Sequence, residues 1–211
     1  MSSLNDKIRQ YGIKNFLIRG FKAFVRILGF KYEKFILMVK DLDDYVKPPN
    51  PKISVHVQEL NYENFKNSNF LKFDPDRLPL FKKRFSCGNY IALGAYHQNR
   101  LVYTCWISLK NFESSINTKN HLRLNENEGL LIDAYAHPEI RGLGVHTYMN
   151  AIRVNKLYDL KKEKAIVLVM MENLPARKAQ SKIGFREGKI VLYIKIFTKE
   201  IVKIKHKKIK L

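Results

Sequence analysis

Apolar and polar positions follow two rhythms along this chain, one helical and one alternating. Over residues 4–29, Ile13, Phe16, Leu17, Phe24, Ile27 and Leu28 recur on one face at helical spacing and predict an amphipathic helix. Lys14, Arg19, Lys22 and Arg26 lie largely opposite, with Ile18, Phe21 and Val25 among them. Phe35 to Val39 reads as a short strand, and Ile53 to Leu60 alternates as another. Tyr62 to Asn69 and Leu78 to Phe85 predict short helices. Tyr90 to Tyr96 and Leu101 to Leu109 predict a hairpin across His97-Gln98-Asn99-Arg100. A polar loop over 111–127 follows, then strand 130–136, helix 145–160, strand 164–171, helix 174–183 and strand 189–197. Ile201 to Ile204 adds a last strand before a lysine tail. Strands paired first by hairpins and then alternating with helices predict an α/β (α+β) chain with a mixed sheet covered on both faces. Lys47-Pro48-Pro49-Asn50-Pro51 continues neither helix nor sheet. It divides a basic appendage, residues 1–50, from the main domain, residues 51–211.

The most informative stretch runs from Leu130 to Phe185. Strand, Pro138, Arg141-Gly142-Leu143-Gly144 and helix follow one another there. A glycine-containing turn at a helix start leaves backbone N–H groups unpaired at the positive end of the helix dipole, so it suits phosphate. The turn is neither the nucleotide-triphosphate P-loop nor the dinucleotide fingerprint, lacking the lysine of one and the third glycine of the other. Asp133 lies inside the apolar run before the turn. A carboxylate there must be paired, solvated in a cleft or shifted in its titration. Alternation puts Asp133 and Tyr135 on one face of the strand and Ala134 and Ala136 on the other. His137 is a rival base, because imidazole ordinarily titrates in the range such a task requires. Asn173 reads as the N-cap of the following helix, with Pro175 in its first turn.

Two longer patterns sit on these residues. Ala136, Pro138, Arg141, Gly142, Gly144 and His146 occupy the fixed positions of V-x-P-x-x-R-G-x-G-x-G/A. Asn173, Ala176, Gln180, Lys182, Gly184 and Phe185 stand in N-x-x-A-x-x-x-Y-x-K-x-G-F. With both in the right order, the chain resembles the GNAT acyltransferase superfamily, most clearly over 130–185 and more broadly from about residue 53 onward. The resemblance implies the GNAT fold, a mixed and mostly antiparallel central sheet flanked by helices, here with an extra N-terminal amphipathic helix. It implies acyl transfer from acetyl-CoA to a small-molecule amine, with an amino sugar of surface-polysaccharide synthesis as one acceptor. The alternative is a non-catalytic GNAT-like domain that binds acyl-CoA or a membrane-associated partner.

The resemblance also assigns roles. The pyrophosphate falls to the backbone N–H groups of Leu143, Gly144, Val145 and His146, with Gly142 in the turn and Arg141 beside it. The oxyanion meets backbone near Tyr135 and Ala136. Asp133 takes the place of the Glu that many members use as base, and its shorter side chain favours a water relay. Asn173 matches the residue that bonds the pantetheine arm. Gln180 stands where a tyrosine usually protonates the departing thiolate, and an amide cannot be that acid. His146 replaces the usual Gly or Ala, so its ring must either crowd the cofactor or turn away.

Charge and cysteines narrow the partners. The 39 Lys and Arg against 19 Asp and Glu give a net charge of +20, which favours anionic partners. Nucleic acid is disfavoured, since no RNP-type aromatic pattern, zinc site or helix-turn-helix is present. Cys87 and Cys105 form neither a disulfide framework nor a metal quartet, so we expect a reducing, cytoplasmic compartment and no metal. No secretory signal is visible. Arg19, Lys22 and Arg26 break the apolar stretch Phe16 to Phe30, so it does not span a bilayer. A second apolar stripe flanked by cations suits the headgroup region of an anionic membrane, at its inner face. A helix buried on both sides, or a dimer contact, is the other reading of the same pattern.

Overall fold

The computed structural model describes residues 20–21, 25, 29–113 and 122–206. The predicted helix over 4–29 lies outside the described residues except at Gly20, Phe21 and Val25, which are helical, and Gly29, which lies in a turn. The lysine tail beyond 206 also lies outside them. Two compact units emerge, one of Lys40–Glu113 with Arg123–Ile166, the other of residues up to Val39, Ser114–Leu122 and Val167–Leu211.

The first unit contains β2 (His56–Glu59), α1 (Tyr62–Lys66), α2 (Leu78–Cys87), β3 (Tyr90–His97), β4 (Arg100–Ser108), β5 (Glu128–Ala136) and α3 (Val145–Asp159). Its strands lie in the order β2-β3-β4-β5, each pair antiparallel. The β3–β4 hairpin closes where the sequence predicts it. Gln98 and Asn99 take φ of 49° and 58°, the left-handed pair that matches strand twist in a two-residue turn. Asn61 caps α1 by accepting from Asn64 N–H at 3.1 Å, and Asn64 returns the bond to Asn61 N–H at 2.8 Å. One sheet face carries an aromatic core in which the rings of Phe65 and Phe81 stack on Trp106 at 5.2 and 5.3 Å. Burying each such ring contributes about 2 kcal/mol. The helix α3 buries Val145, Met149, Val154 and Leu157.

Two irregularities in this unit matter for the site. The first is a bulge in β5. Trp106 pairs with Ile132 and Thr104 with Tyr135, so β5 holds one residue more than β4 across this step. Asp133 sits in the bulge at φ +46°. Cross-strand partners share a face, so Ile132 and Tyr135 both stand on the Trp106 side, and simple alternation does not survive. The second is the segment after β1. Leu42 N–H donates to Glu163 O at 2.8 Å, Val46 exchanges two bonds with the buried Asn155 side chain at 2.9 and 2.8 Å, and Lys52 N–H donates to Leu143 O at 2.8 Å. These three pins lay the proline-rich stretch along α3, from the residues after its C-terminus to the turn before its start. The residues that break helix and sheet here form a strap.

The second unit contains β1 (Phe30–Asp41) up to Val39, β6 (Lys164–Met170) from Val167, α4 (Leu174–Lys182), β7 (Arg186–Ile196) and β8 (Lys199–His206), with strands ordered β6-β1-β7-β8. β1 and β8 are both antiparallel to β7. β1 is far longer than the apolar run 35–39 because its first half alternates charged and aromatic residues. Glu33 and Phe35 pair with Tyr193 and Val191 on a buried face, whereas Phe30 and Tyr32 pair with Ile196 and Ile194 on an exposed one. Among the described residues, the expected cover on both faces stops short at these ends of β1 and β7. β8 begins at Lys199, two residues before the pattern at Ile201 predicts.

Candidate active site

The turn between β5 and α3 carries the expected glycines, but Leu143 N–H, expected in the phosphate cradle, donates to Ile140 O at 3.4 Å. His137 opens a short 3-10 turn, Pro138–Ile140, and its Nδ1 accepts from Glu139 N–H at 3.4 Å. Gly142 and Gly144 take φ of 80° and 84°, and Gly144 is the N-cap of α3 with no side chain capping it. The N–H groups of Val145, His146 and Thr147 precede the first possible intrahelical acceptor, and Tyr148 N–H is the first to bond, to Gly144 O at 3.1 Å. Three donors therefore point outward at the positive helix end. The strap supports the turn from behind. A Cβ built on Gly144 would stand 3.3 Å from Pro51 Cα, besides facing the strain of left-handed backbone. Arg141 is exposed beside the turn, and its guanidinium reaches Ala136 O at 3.4 Å. A phosphate-bearing cofactor fits this arrangement: free backbone donors, two left-handed glycines in the turn and an exposed cation beside it.

His146 turns away from the turn's outer face. Its Nδ1 meets Tyr103 Oη at 2.7 Å, and its Nε2 meets Asn150 Nδ2 at 3.2 Å. Asn150 Oδ1 accepts from Arg153, which is 1% exposed and also donates to the carbonyls of Trp106 and Ile132, each at 3.2 Å. Arg153 has only donors, so the chain has one polarity. Arg153 donates to Asn150, Asn150 donates to Nε2, and the His146 proton sits on Nδ1 facing Tyr103. Desolvation, with the Arg153 guanidinium adding to it, pushes the His146 imidazole down to about 4. Burial likewise raises Tyr103 and pushes Cys105 up to about 11, so neither supplies an anion here. The two carbonyls that Arg153 takes flank the β5 bulge. The guanidinium thus ties the glycine turn, through α3, to the backbone irregularity that carries Asp133.

Asp133 reaches toward α2. Its Oδ2 accepts from Arg84 at 2.6 Å, and its Oδ1 forms an ion pair with Arg77 at 3.0 Å. Arg84 is 4% exposed, also holds Glu113 at 2.6 Å, and lies 5.1 Å above the Trp106 ring. Tyr90 donates to the same Glu113 at 2.7 Å; desolvation first, and Glu113 second, raise its phenol. A carboxylate offers about four lone-pair sites, so Asp133 keeps acceptor capacity beside its two arginines. Tyr135 is exposed, with its ring 6.0 Å from Phe73. His137 stacks on Phe70 at 4.0 Å, and its N–H donates to Val102 O at 2.9 Å.

Three consecutive cations on α2, Lys82 to Arg84, divide between solvent and core. Lys82 and Lys83 are exposed, but Arg84 is committed to Asp133 and Glu113 and is not free for an acceptor phosphate. Asn173, in the second unit, caps α4 by accepting from Ala176 N–H at 3.3 Å. Gln180, in the same unit, is 2% exposed, and its Oε1 has no partner among the described residues. Sequence reasoning missed Tyr103, Asn150 and Arg153. The signal was there: His146, Asn150 and Arg153 stand at i, i+4 and i+7, a polar stripe on the apolar side of α3.

The architecture is an α+β sheet protein with a glycine-containing strand–turn–helix between β5 and α3. No known family model matches the sequence, and no curated protein matches it. Solved structures do. A Drosophila protein shares 15% identity over 86% of this chain and 57% of its own, with a TM-score of 0.57. The glucosamine N-acetyltransferase region of a fungal multi-domain beta-N-acetylglucosaminidase shares 17% over 84% of this chain and 23% of its own, at 0.55. A GCN5-related N-acetyltransferase from Sphaerobacter thermophilus shares 13% over 99% and 70%, at 0.54. The chain thus spans less than two thirds of the first two. The likeness is one of fold, and the fold is that of the GCN5-related N-acetyltransferases, as the two sequence patterns imply.

Proposed function

We propose that this chain is an acyl-CoA-dependent N-acyltransferase, with acetyl-CoA as donor and a small-molecule amine as acceptor. The observation that carries the reading is the Arg141–Thr147 turn, with three free N–H donors at a helix start and an inward-turned His146. These donors would hold the pyrophosphate, with Arg141 at its rim, and Asn173 would serve the pantetheine arm as well as capping α4. Bound acetyl-CoA supplies the thioester. Backbone at Tyr135 and Ala136 is the candidate oxyanion donor, where one preorganised N–H contributes about 3 kcal/mol. Asp133, oriented by Arg77 and Arg84, accepts the amine proton directly or through a water, and His137 is the rival base. Gln180 cannot protonate the thiolate, which leaves that proton to solvent or to another group. An amino sugar is the acceptor we favour, because the fungal fold neighbour is described as a glucosamine N-acetyltransferase. We also propose peripheral attachment to an anionic membrane through the basic N-terminal helix; no described helix is long and apolar enough to cross one.

Asp133→Asn keeps both arginine contacts sterically and removes the proton acceptor. Turnover with a saturating amine should fall by roughly 100-fold while acetyl-CoA affinity stays nearly unchanged. An unchanged rate would move the role to His137 or solvent. No turnover by the wild type on any amine, with acetyl-CoA still bound, would favour the second reading, a non-catalytic acyl-CoA-binding domain, which Gln180 supports.

A further inference from the structure

The exposed face at one end of the second unit has a composition that soluble surfaces avoid. Register places Phe30 and Tyr32 of β1 beside Ile196 and Ile194 of β7, and Ile194 in turn beside Ile201 of β8. Lys34, Lys199, Lys203 and Lys205 share that face and fringe it. No acidic residue shares the face over these positions. Glu33 and Glu200 alternate to the other side, paired with Tyr193 and Lys195.

The tip of the β7–β8 hairpin extends the same surface. Phe197 is 66% exposed at φ +52°, a turn position that favours Gly or Asn and costs a bulky residue about 1 kcal/mol or more. Its ring packs on Phe30 at 5.3 Å and lies over Gly29, where a Cβ would come within 2.9 Å of Cδ1. A strained, exposed aromatic with a fitted glycine beneath it is not explained by hairpin stability. Lysines on an edge strand deter strand pairing, but that purpose needs no exposed aromatics.

We infer that this face, with Phe197 at its tip, docks on an anionic lipid surface. Charge selects the occupant. A second copy would meet lysine with lysine. The chain's own first 28 residues carry Lys7, Arg9, Lys14, Arg19, Lys22 and Arg26 against the single Asp6, so their charge does not complement these lysines. A bilayer interface takes both components: aromatics at headgroup depth and lysines at anionic phosphates. The inference does not rest on acyl transfer, and it adds a second surface to the N-terminal helix proposed above.

The test is sedimentation of the full chain with phosphatidylcholine vesicles, with and without phosphatidylglycerol, at low salt. The wild type should bind the anionic vesicles and lose binding in high salt. Phe197→Asn suits the left-handed turn, so thermal stability should hold or rise while partitioning falls roughly tenfold. Replacing Lys199, Lys203 and Lys205 by Gln should lower it about fivefold for each charge. Wild-type binding in both variants, with loss only in Phe21→Glu, would overturn this face and leave the helix as the anchor. A wild type that ignores anionic vesicles, or that is retained on single-stranded DNA instead, would also overturn it.

Discussion

His146 should make the stability of this protein fall with acid in a calculable way. Its imidazole lies at about 4 in the fold against an ordinary 6.5. A base depressed by folding is protonated first in the unfolded chain, so the unfolded state binds more protons between those values. Stability is therefore full above about 6.5 and is lost as the pH falls toward 4. Protonation would place an N–H on Nε2 against the Asn150 amide that now donates to it, with the Arg153 guanidinium next in line. Between pH 7.5 and pH 5 the linkage amounts to about 2 kcal/mol. For a chain of this size that lowers the melting midpoint by about 6 °C. His146→Gln can accept from Asn150 without titrating. Calorimetry of both proteins at the two pH values isolates the residue, because every other titrating group is shared. The variant should lose about 6 °C less than the wild type on acidification. Equal losses would refute both the depressed imidazole and the polarity of the Arg153–Asn150–His146 chain.

Two further outcomes follow from buried polar groups. Arg84→Met strips Glu113 of its cation and leaves Asp133 with Arg77 alone, and should destabilise by about 3 kcal/mol or more in urea unfolding; a change under 1 kcal/mol would show that solvent replaces the guanidinium. Asn155→Ala removes both bonds to Val46 and should cost about 2 kcal/mol, with faster amide exchange at Val46 and Lys52. Unchanged exchange at Lys52 would mean that the strap is not held as one piece.

Much of the frame could be read from pattern alone. The hairpin, the strand–turn–helix and the α4 cap all rest on local signals: a left-handed dipeptide, a pair of glycines, an Asn before Leu-Pro. The β5 bulge could not be read, because an inserted residue leaves the composition of Leu130 to Ala136 looking like any alternating strand. Arg84 follows the exposed Lys82 and Lys83 in sequence, yet it lies three residues after Phe81 and one before Phe85, on the buried side of α2. Lys47 to Pro51 looked like a linker because proline forbids regular structure. Nothing local revealed that Asn155, over a hundred residues away, would bind it down. β1 was underestimated because Glu33 interrupts its apolar run, although Glu33 is itself buried. In each case a long-range partner made the decision.

The central claim is that the turn from Arg141 to Thr147 holds the phosphates of acyl-CoA. Thermal shift with acetyl-CoA tests it most directly when Gly144→Asp is compared with Gly144→Asn. Both variants carry the same left-handed strain and the same contact with Pro51, so they differ only by a charge at the helix start. The account predicts that acetyl-CoA stabilises the wild type, stabilises the Asn variant less, and leaves the Asp variant unshifted. A wild type unmoved by millimolar acetyl-CoA, or an Asp variant stabilised as much as the Asn variant, would contradict it.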